Sequence, residues 1–195
     1  MRKFIAAPVA LAALLAPAHL SAQSAAELDD ATSEFVSVAG PTVALTGVKV
    51  IDGTGSGART NQTVVIEGNR IAAVGPAGAV EIPPGAEVHD LPGHTVIPGM
   101  IGLHNHMFFM GAGGRMAQGN ISSPRLYLAA GVTTIRTTGS VSPYADLNVK
   151  SNIERGLAPG PRMHVTAPYV TGPNPALGDM AQVNSPEEAR RFVRY

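Results

Sequence analysis

Pro98-Gly99-Met100-Ile101-Gly102-Leu103-His104-Asn105-His106 sets two imidazoles two residues apart at the end of an apolar, strand-like run, immediately after a Pro-Gly breaker. Successive side chains of an extended strand point to opposite faces, so His104 and His106 fall on one face, about 6.5 to 7 Å apart at Cα, and Asn105 faces away. Both rings then reach one ion, which makes the pair a metal-ligand arrangement. A bare His-x-His pair also arises by chance, with each ring an ordinary satisfied polar group. Three features of the surroundings distinguish this one: the Pro-Gly entry, the buried-strand character of Met100 to Leu103, and a β-rich segment upstream.

That upstream segment opens at Thr42. Val43 to Ile51 is rich in β-branched residues and ends in the turn Asp52-Gly53-Thr54-Gly55. Thr63 to Glu67 and Arg70 to Val74 flank Gly68-Asn69 and predict a tight hairpin. Pro83-Pro84-Gly85 breaks the chain before a short strand over Glu87 to Leu91, and Gly93 to Pro98 leads into the histidine strand. Residues 42–97 therefore form one small β layer.

Downstream, strand and helix alternate, the pattern of βα units. Ser123-Pro124-Arg125 opens a helix with a capping hydroxyl and a first-turn proline, running to Gly131. Val132 to Thr137 is a second strand. A second helix spans about Tyr144 to Leu157, with Leu147, Ile153 and Leu157 on its apolar side. Met163 to Thr166 is a third, buried strand, and Asn184-Ser185-Pro186-Glu187-Glu188 starts a capped helix with acids in its first turn.

The histidine stretch resembles the metal-binding signature of the amidohydrolase superfamily, in which Pro-Gly-x-x-Asp-x-His-x-His forms the first barrel strand; Gly102 stands where Asp is usual. Ala130-Gly131-Val132-Thr133-Thr134-Ile135-Arg136 is similar to that superfamily's second strand. Residues 42–97 are similar to the amino-terminal part of its accompanying β-sandwich, down to the Ile51-Asp52-Gly53-Thr54-Gly55 turn. The resemblance runs over about residues 42–195 and implies an α/β fold: the start of a (β/α)₈ barrel preceded by part of a small β-sandwich.

A closed barrel typically needs about 250 residues. With 195 residues in all, the barrel is incomplete in this chain, whose domains read as a leader over 1–22, a linker or frayed helix over 23–41, a partial sandwich over 42–97 and the first barrel strands and helices over 98–195. Arg2 and Lys3, an apolar stretch from Phe4 to Leu15, then Ser21-Ala22-Gln23 have the layout of a secretory signal cleaved near Ala22. Its apolar core is too short to span about 30 Å and is interrupted by Pro8 and Pro17. Export to a periplasm or out of the cell follows as the expectation, with no membrane attachment after cleavage.

Formal net charge is zero, 14 basic against 14 acidic residues, with no basic stripe for nucleic acid. The absence of cysteine removes disulfides and thiolate ligands, so a metal is held by His and oxygen donors. The resemblance implies a divalent ion, zinc first with Mn, Fe or Ni as alternatives, and hydrolysis of a C–N bond in a small amide or peptide-like substrate. A metal held by imidazoles lowers the pKa of bound water to about 7. The nearest branch is that of imidazolonepropionase and prolidase. Two other readings stay open, a non-catalytic piece or binding module with a vestigial site, and an ester, lactone or phosphotriester hydrolase on the same scaffold. A homo-oligomer is left open as well.

The resemblance also implies that further ligands and the proton carrier lie on later strands, beyond Tyr195, so the 195-residue chain alone is expected to be inactive. The usual aspartate at position 102 would share the face of His104 and His106, where it could orient ligands. His164 reads as a core or supporting histidine, His89 and His94 as exposed, and His19 as part of the leader. Thr137 takes no catalytic role. Gly111 to Arg115 and the loop carrying Tyr169 and Asp179 follow barrel strands, placing Arg115 and Tyr169 as candidates for a substrate pocket, Arg115 toward a carboxylate or simply solvated. Phe108, Phe109 and Met110 either line that pocket or pack beneath it.

Overall fold

β-Branched residues pack well on a pleated surface, and the run from Thr42 forms the centre of an all-β layer. The structure, a computed structural model, describes residues 27–112, 116–173 and 180–194. The leader at 1–22 lies outside these residues, as do Gly113, Gly114, Arg115 and Asp179. β1 (Thr42–Val50) pairs antiparallel with β2 (Arg59–Glu67), Val43 opposite Ile66 and Leu45 opposite Val64. The Gly68-Asn69 turn carries the chain into β3 (Arg70–Pro76), which pairs antiparallel with β2. Along its other edge β1 pairs in parallel with β4 (Glu87–Asp90) and then β5 (Thr95–Val96). Val48, Val50 and Val64 form the core, with Leu45, Ile66, Leu91 and Val96 packed around them. At the end of β1, Asp52 Oδ1 accepts from Thr54 Oγ1 (2.7 Å) and Thr54 N (3.0 Å), which holds its carboxyl below the usual carboxylate range.

The second layer is a parallel three-stranded sheet in the order β10-β9-β6, built from β6 (Met100–Asn105), β9 (Val132–Thr137) and β10 (Arg162–His164). Helices α2 (Ser122–Ala129) and α3 (Pro143–Glu154) lie in the connections, and a hairpin of β7 (Phe108–Met110) and β8 (Met116–Gln118) stands between β6 and α2. The helices cover one face, where Met107, Ile135, Val149 and Met163 are buried together with Tyr127 and Ile153 against them. A short parallel pair, β11 (Val170–Thr171) with β12 (Ala181–Gln182), leads to α4 (Pro186–Val193). The chain is thus mixed α/β, and the described residues close no barrel.

Upstream of β1, α1 (Asp30–Ser33) is a single turn capped by Asp29 Oδ1, which accepts from Thr32 N at 2.8 Å. The segment rests on the second layer: Asp29 N donates to Gly156 O at 3.2 Å, and the Arg125 guanidinium lies 4.7 Å from the Phe35 ring centroid.

Several expectations are corrected. β6 is not a buried strand: Ile101 is 65% and Leu103 69% exposed, because β6 is the edge of the sheet and its second face has no layer against it among the described residues. α2 begins at Ser122 after Ile121, with no side-chain cap bond; Ser123 instead donates its backbone N–H to Gly119 O at 2.9 Å. Leu147 and Leu157 of the expected apolar helix side are exposed, and Val149 is the residue of α3 that enters the core. His164 is exposed on β10 next to buried Met163, by the alternation of a strand covered on one face only. His89 is half-buried, its Nε2 lying 2.9 Å from Glu87 Oε1. α4 carries its predicted cap: Ser185 Oγ accepts from Glu188 N (3.1 Å), while Glu188 Oε2 accepts from the N–H of Asn184, one residue before the cap (2.6 Å).

The register of β6 on β9 shifts where it matters. Gly102 is opposite Ile135 and Asn105 opposite Thr137, so three steps on β6 match two on β9. One additional residue breaks the alternation. Gly102 and Asn105 then share the face of buried Ile135 and Thr137, while Leu103 and His104, both exposed, stand against Arg136 alone. Position 102 is therefore on the Asn105 side and not on the histidine face that uniform alternation predicts. The Asn105 side chain occupies the vacancy: a Cβ on Gly102 would lie 2.0 Å from Asn105 Oδ1.

Candidate metal centre

His104 is in the last turn of pleat of β6 and His106 follows its end, both at the carboxyl end of the parallel sheet. Their ring centroids are 5.2 Å apart with the planes at 84°. Two imidazoles bound to one tetrahedral ion through bonds of about 2.0 to 2.1 Å place their centroids about 5 Å apart. The pair therefore fits a shared divalent cation. It supplies two donors, and among the described residues no group of three or more His, Cys, Asp or Glu side chains converges on one point.

The backbone carrying the pair is tied on every side. Thr138 N donates to Asn105 O (3.0 Å), Thr138 Oγ1 to Leu103 O (3.1 Å), Tyr127 Oη to His106 O (2.8 Å) and Gly119 N to Met107 O (2.6 Å). Helix α2 and the residues just past β9 and β8 thus fix four of the five residues from Leu103 to Met107. Thr137, expected to be without a catalytic role, has a structural one. Its Oγ1 accepts from Thr166 N, its carbonyl accepts from Thr166 Oγ1, both at 2.8 Å, and it is fully buried.

Aromatic rings border His106. Phe108 stacks at 4.7 Å between centroids and Tyr169 stands at 6.1 Å, with its Oη 3.3 Å from His106 Nδ1. Burial pushes the Tyr169 phenol above its ordinary value, so it is a neutral hydroxyl at physiological pH. Of the two expected pocket residues, Tyr169 reaches His106 and Arg115 lies outside the described residues. Phe108 packs on His106, whereas Phe109 and Met110 are exposed.

Sequence reasoning missed Asp146 and Gln118. Asp146 is 1% exposed in the first turn of α3 and accepts from Gln118 Nε2 of β8 at 2.8 Å. Burial raises its pKa, opposed by hydrogen bonds from Ser140 and Gln118 and by the charge of His106. An acid in the first turn of a helix is commonplace, and no sequence signal separates this one from a solvated residue.

No family model matches the chain, and no curated protein does. Solved structures do match. A candidate prolidase from Bifidobacterium longum is 30% identical over 78% of this chain and 37% of its own, with a TM-score of 0.61. A prolidase complexed with N-methylphosphonate-L-proline is 25% identical over 78% of this chain and 43% of its own, TM-score 0.59. A Xaa-Pro dipeptidase with methionine bound in its active site, 22% identical at TM-score 0.62, shares the fold over 78% of this chain and 43% of its own. The chain spans about two fifths of the length of each.

Proposed function

The chain belongs to the amidohydrolase superfamily, and from that premise we propose that it is the amino-terminal portion of an exported, metal-dependent hydrolase of C–N bonds in peptide-like substrates. The observation that carries this reading is the His104–His106 pair, 5.2 Å apart at the carboxyl end of the parallel sheet. Structures named as a prolidase and a Xaa-Pro dipeptidase share that fold. On this reading β6 is the first strand of a (β/α)₈ barrel, where loops beyond the carboxyl ends of the strands build the active site. Residues 42–97 belong to the accompanying sandwich. The leader pattern at 1–22 supports export.

A divalent ion, zinc first and Mn, Fe or Ni as alternatives, supplies Lewis acidity and ionises water near neutral pH. His104 and His106 would hold it through ring nitrogen, with the bonds from Tyr127, Gly119 and Thr138 to the backbone around them keeping their separation. Phe108 shields one side of the His106 ring from water. Arg115, which follows β7 in the sequence, is proposed to meet a substrate carboxylate.

The test is expression of the whole reading frame that contains this sequence, loaded with zinc or manganese and assayed on Xaa-Pro dipeptides and N-acyl amino acids. Hydrolysis that disappears in His104→Ala and His106→Ala is the expected result, with residues 23–195 alone giving no turnover. Hydrolysis that survives both substitutions sinks the assignment.

A further inference from the structure

We propose that Tyr169 is a positioning residue for His106, not a substrate contact: its hydroxyl engages Nδ1 and so presents Nε2 as the metal-binding nitrogen. The role rests on the metal reading above and goes beyond it, since nothing in the strand sequence decides which nitrogen of His106 binds.

An imidazole has two ring nitrogens whose in-plane lone pairs diverge, and a half-turn about Cβ–Cγ puts ring carbons where the nitrogens were. A ligating histidine therefore needs a partner on its second nitrogen to select tautomer and orientation. Tyr169 Oη lies 3.3 Å from Nδ1 of His106, which leaves Nε2 as the nitrogen free to bind. With Nε2 coordinated, the ring proton is on Nδ1 and is donated to Tyr169 Oη, which as a hydroxyl oxygen can accept it. Phe108, 4.7 Å from the imidazole centroid, limits rotation from one side.

Backbone bonds and a glycine hold the tyrosine in place. Its backbone N–H donates to Ser140 O at 3.0 Å, and its carbonyl accepts from Ala181 N at 3.1 Å, just before β11 pairs with β12. Its ring lies on Gly139. A Cβ built there would be 2.2 to 2.5 Å from three ring carbons, and Gly139 has φ +79°, a conformation that side chains disfavour. Gly139 is fixed in turn by Thr166 Oγ1, which accepts from its N–H at 2.9 Å. The Thr137–Thr166 bonds, the glycine and the ring thus form a cradle whose outermost group is the hydroxyl on Nδ1.

The experiment is a cobalt(II) titration of the protein expressed from the whole reading frame that contains this sequence, read by visible ligand-field absorption against a competing chelator, for the wild type, Tyr169→Phe, Gly139→Ala and His106→Ala. Tyr169→Phe keeps the ring on Gly139 and deletes only the hydroxyl. The expected result is about a 10- to 100-fold loss of cobalt affinity and a changed absorption spectrum, the size typical for losing a partner of a ligating histidine, with the melting temperature unchanged. Gly139→Ala displaces the ring and weakens cobalt as well, while His106→Ala abolishes binding. Binding that His106→Ala removes but Tyr169→Phe leaves at wild-type strength overturns the role of Tyr169 alone. No cobalt binding by the wild type, or binding indifferent to His106, overturns the metal reading and this role with it.

Discussion

Restoring the superfamily's usual aspartate by Gly102→Asp should damage this chain, and the structure gives the reason and the scale. The new Cβ would fall 2.0 Å from Asn105 Oδ1, 2.7 Å from its Cγ and 2.8 Å from its Nδ2, all inside van der Waals contact. Gly102 and Asn105 face the same side because of the additional residue in β6, so neither can yield without moving the other or the strand. Overpacking of this kind costs about 1 to 3 kcal/mol. Asn105 Oδ1 is buried and accepts no hydrogen bond from the described residues, so truncating Asn105 breaks no such bond and vacates the space. In urea denaturation Gly102→Asp should therefore lose about 1 to 3 kcal/mol alone, and about half of that or less in an Asn105→Gly background; residues in contact typically couple by about 0.5 to 3 kcal/mol. A cost of Gly102→Asp that is the same in both backgrounds would mean that Asn105 does not occupy that volume, and the register shift would have to be abandoned.

Two further outcomes follow from burial. Asp146 has its pKa raised by burial, so the native state holds that proton more tightly than the unfolded chain does. Its contribution to stability is then fully present below the unfolded value and lost as pH rises through the raised native value. Asp146→Asn, which keeps an acceptor for Gln118, should be more stable than wild type at pH 7 with the advantage shrinking toward pH 4, measured by thermal melts in a pH series; an advantage independent of pH refutes it. Ile135, fully buried, and Leu103, 69% exposed, make a contrasting pair. Ile135→Ala should cost about 2 to 5 kcal/mol and Leu103→Ala within about 0.5 kcal/mol in chemical denaturation, and equal costs would disprove the assigned faces of the sheet.

Elements whose signals are local were legible in the sequence. Val132–Thr137 forms β9 over the expected residues, the Gly68-Asn69 turn makes its hairpin, and Ser185 caps the helix that the run from Asn184 to Glu188 predicts. What the sequence did not reveal depends on neighbours distant along the chain. The register shift in β6 exists only relative to β9, so strict alternation put position 102 on the wrong face. The β7–β8 hairpin has no signal in the sequence, because its strands are three residues each and a Gly-rich stretch separates them. Asp146 and Gln118 become a buried pair only when α3 and β8 meet. Tyr169 was singled out by its position after a barrel strand, whereas its bond to His106, 63 residues away, needed the fold.

The edge of β1 that takes β4 and β5 in succession sets an order of events during synthesis. Lys49 and Val50 meet Thr95 and Val96 across about 46 residues of chain, so the β layer stays open on that side until residue 96 has been made. Loop closure over such a span is slow compared with the neighbouring hairpin, whose strands meet as soon as they exist. The last seam of the layer therefore closes immediately ahead of Pro98, and β6 starts from an end already moored to β1. Only seven residues separate Val96 from His104, which limits how far the histidine pair can wander while β9 is still to come.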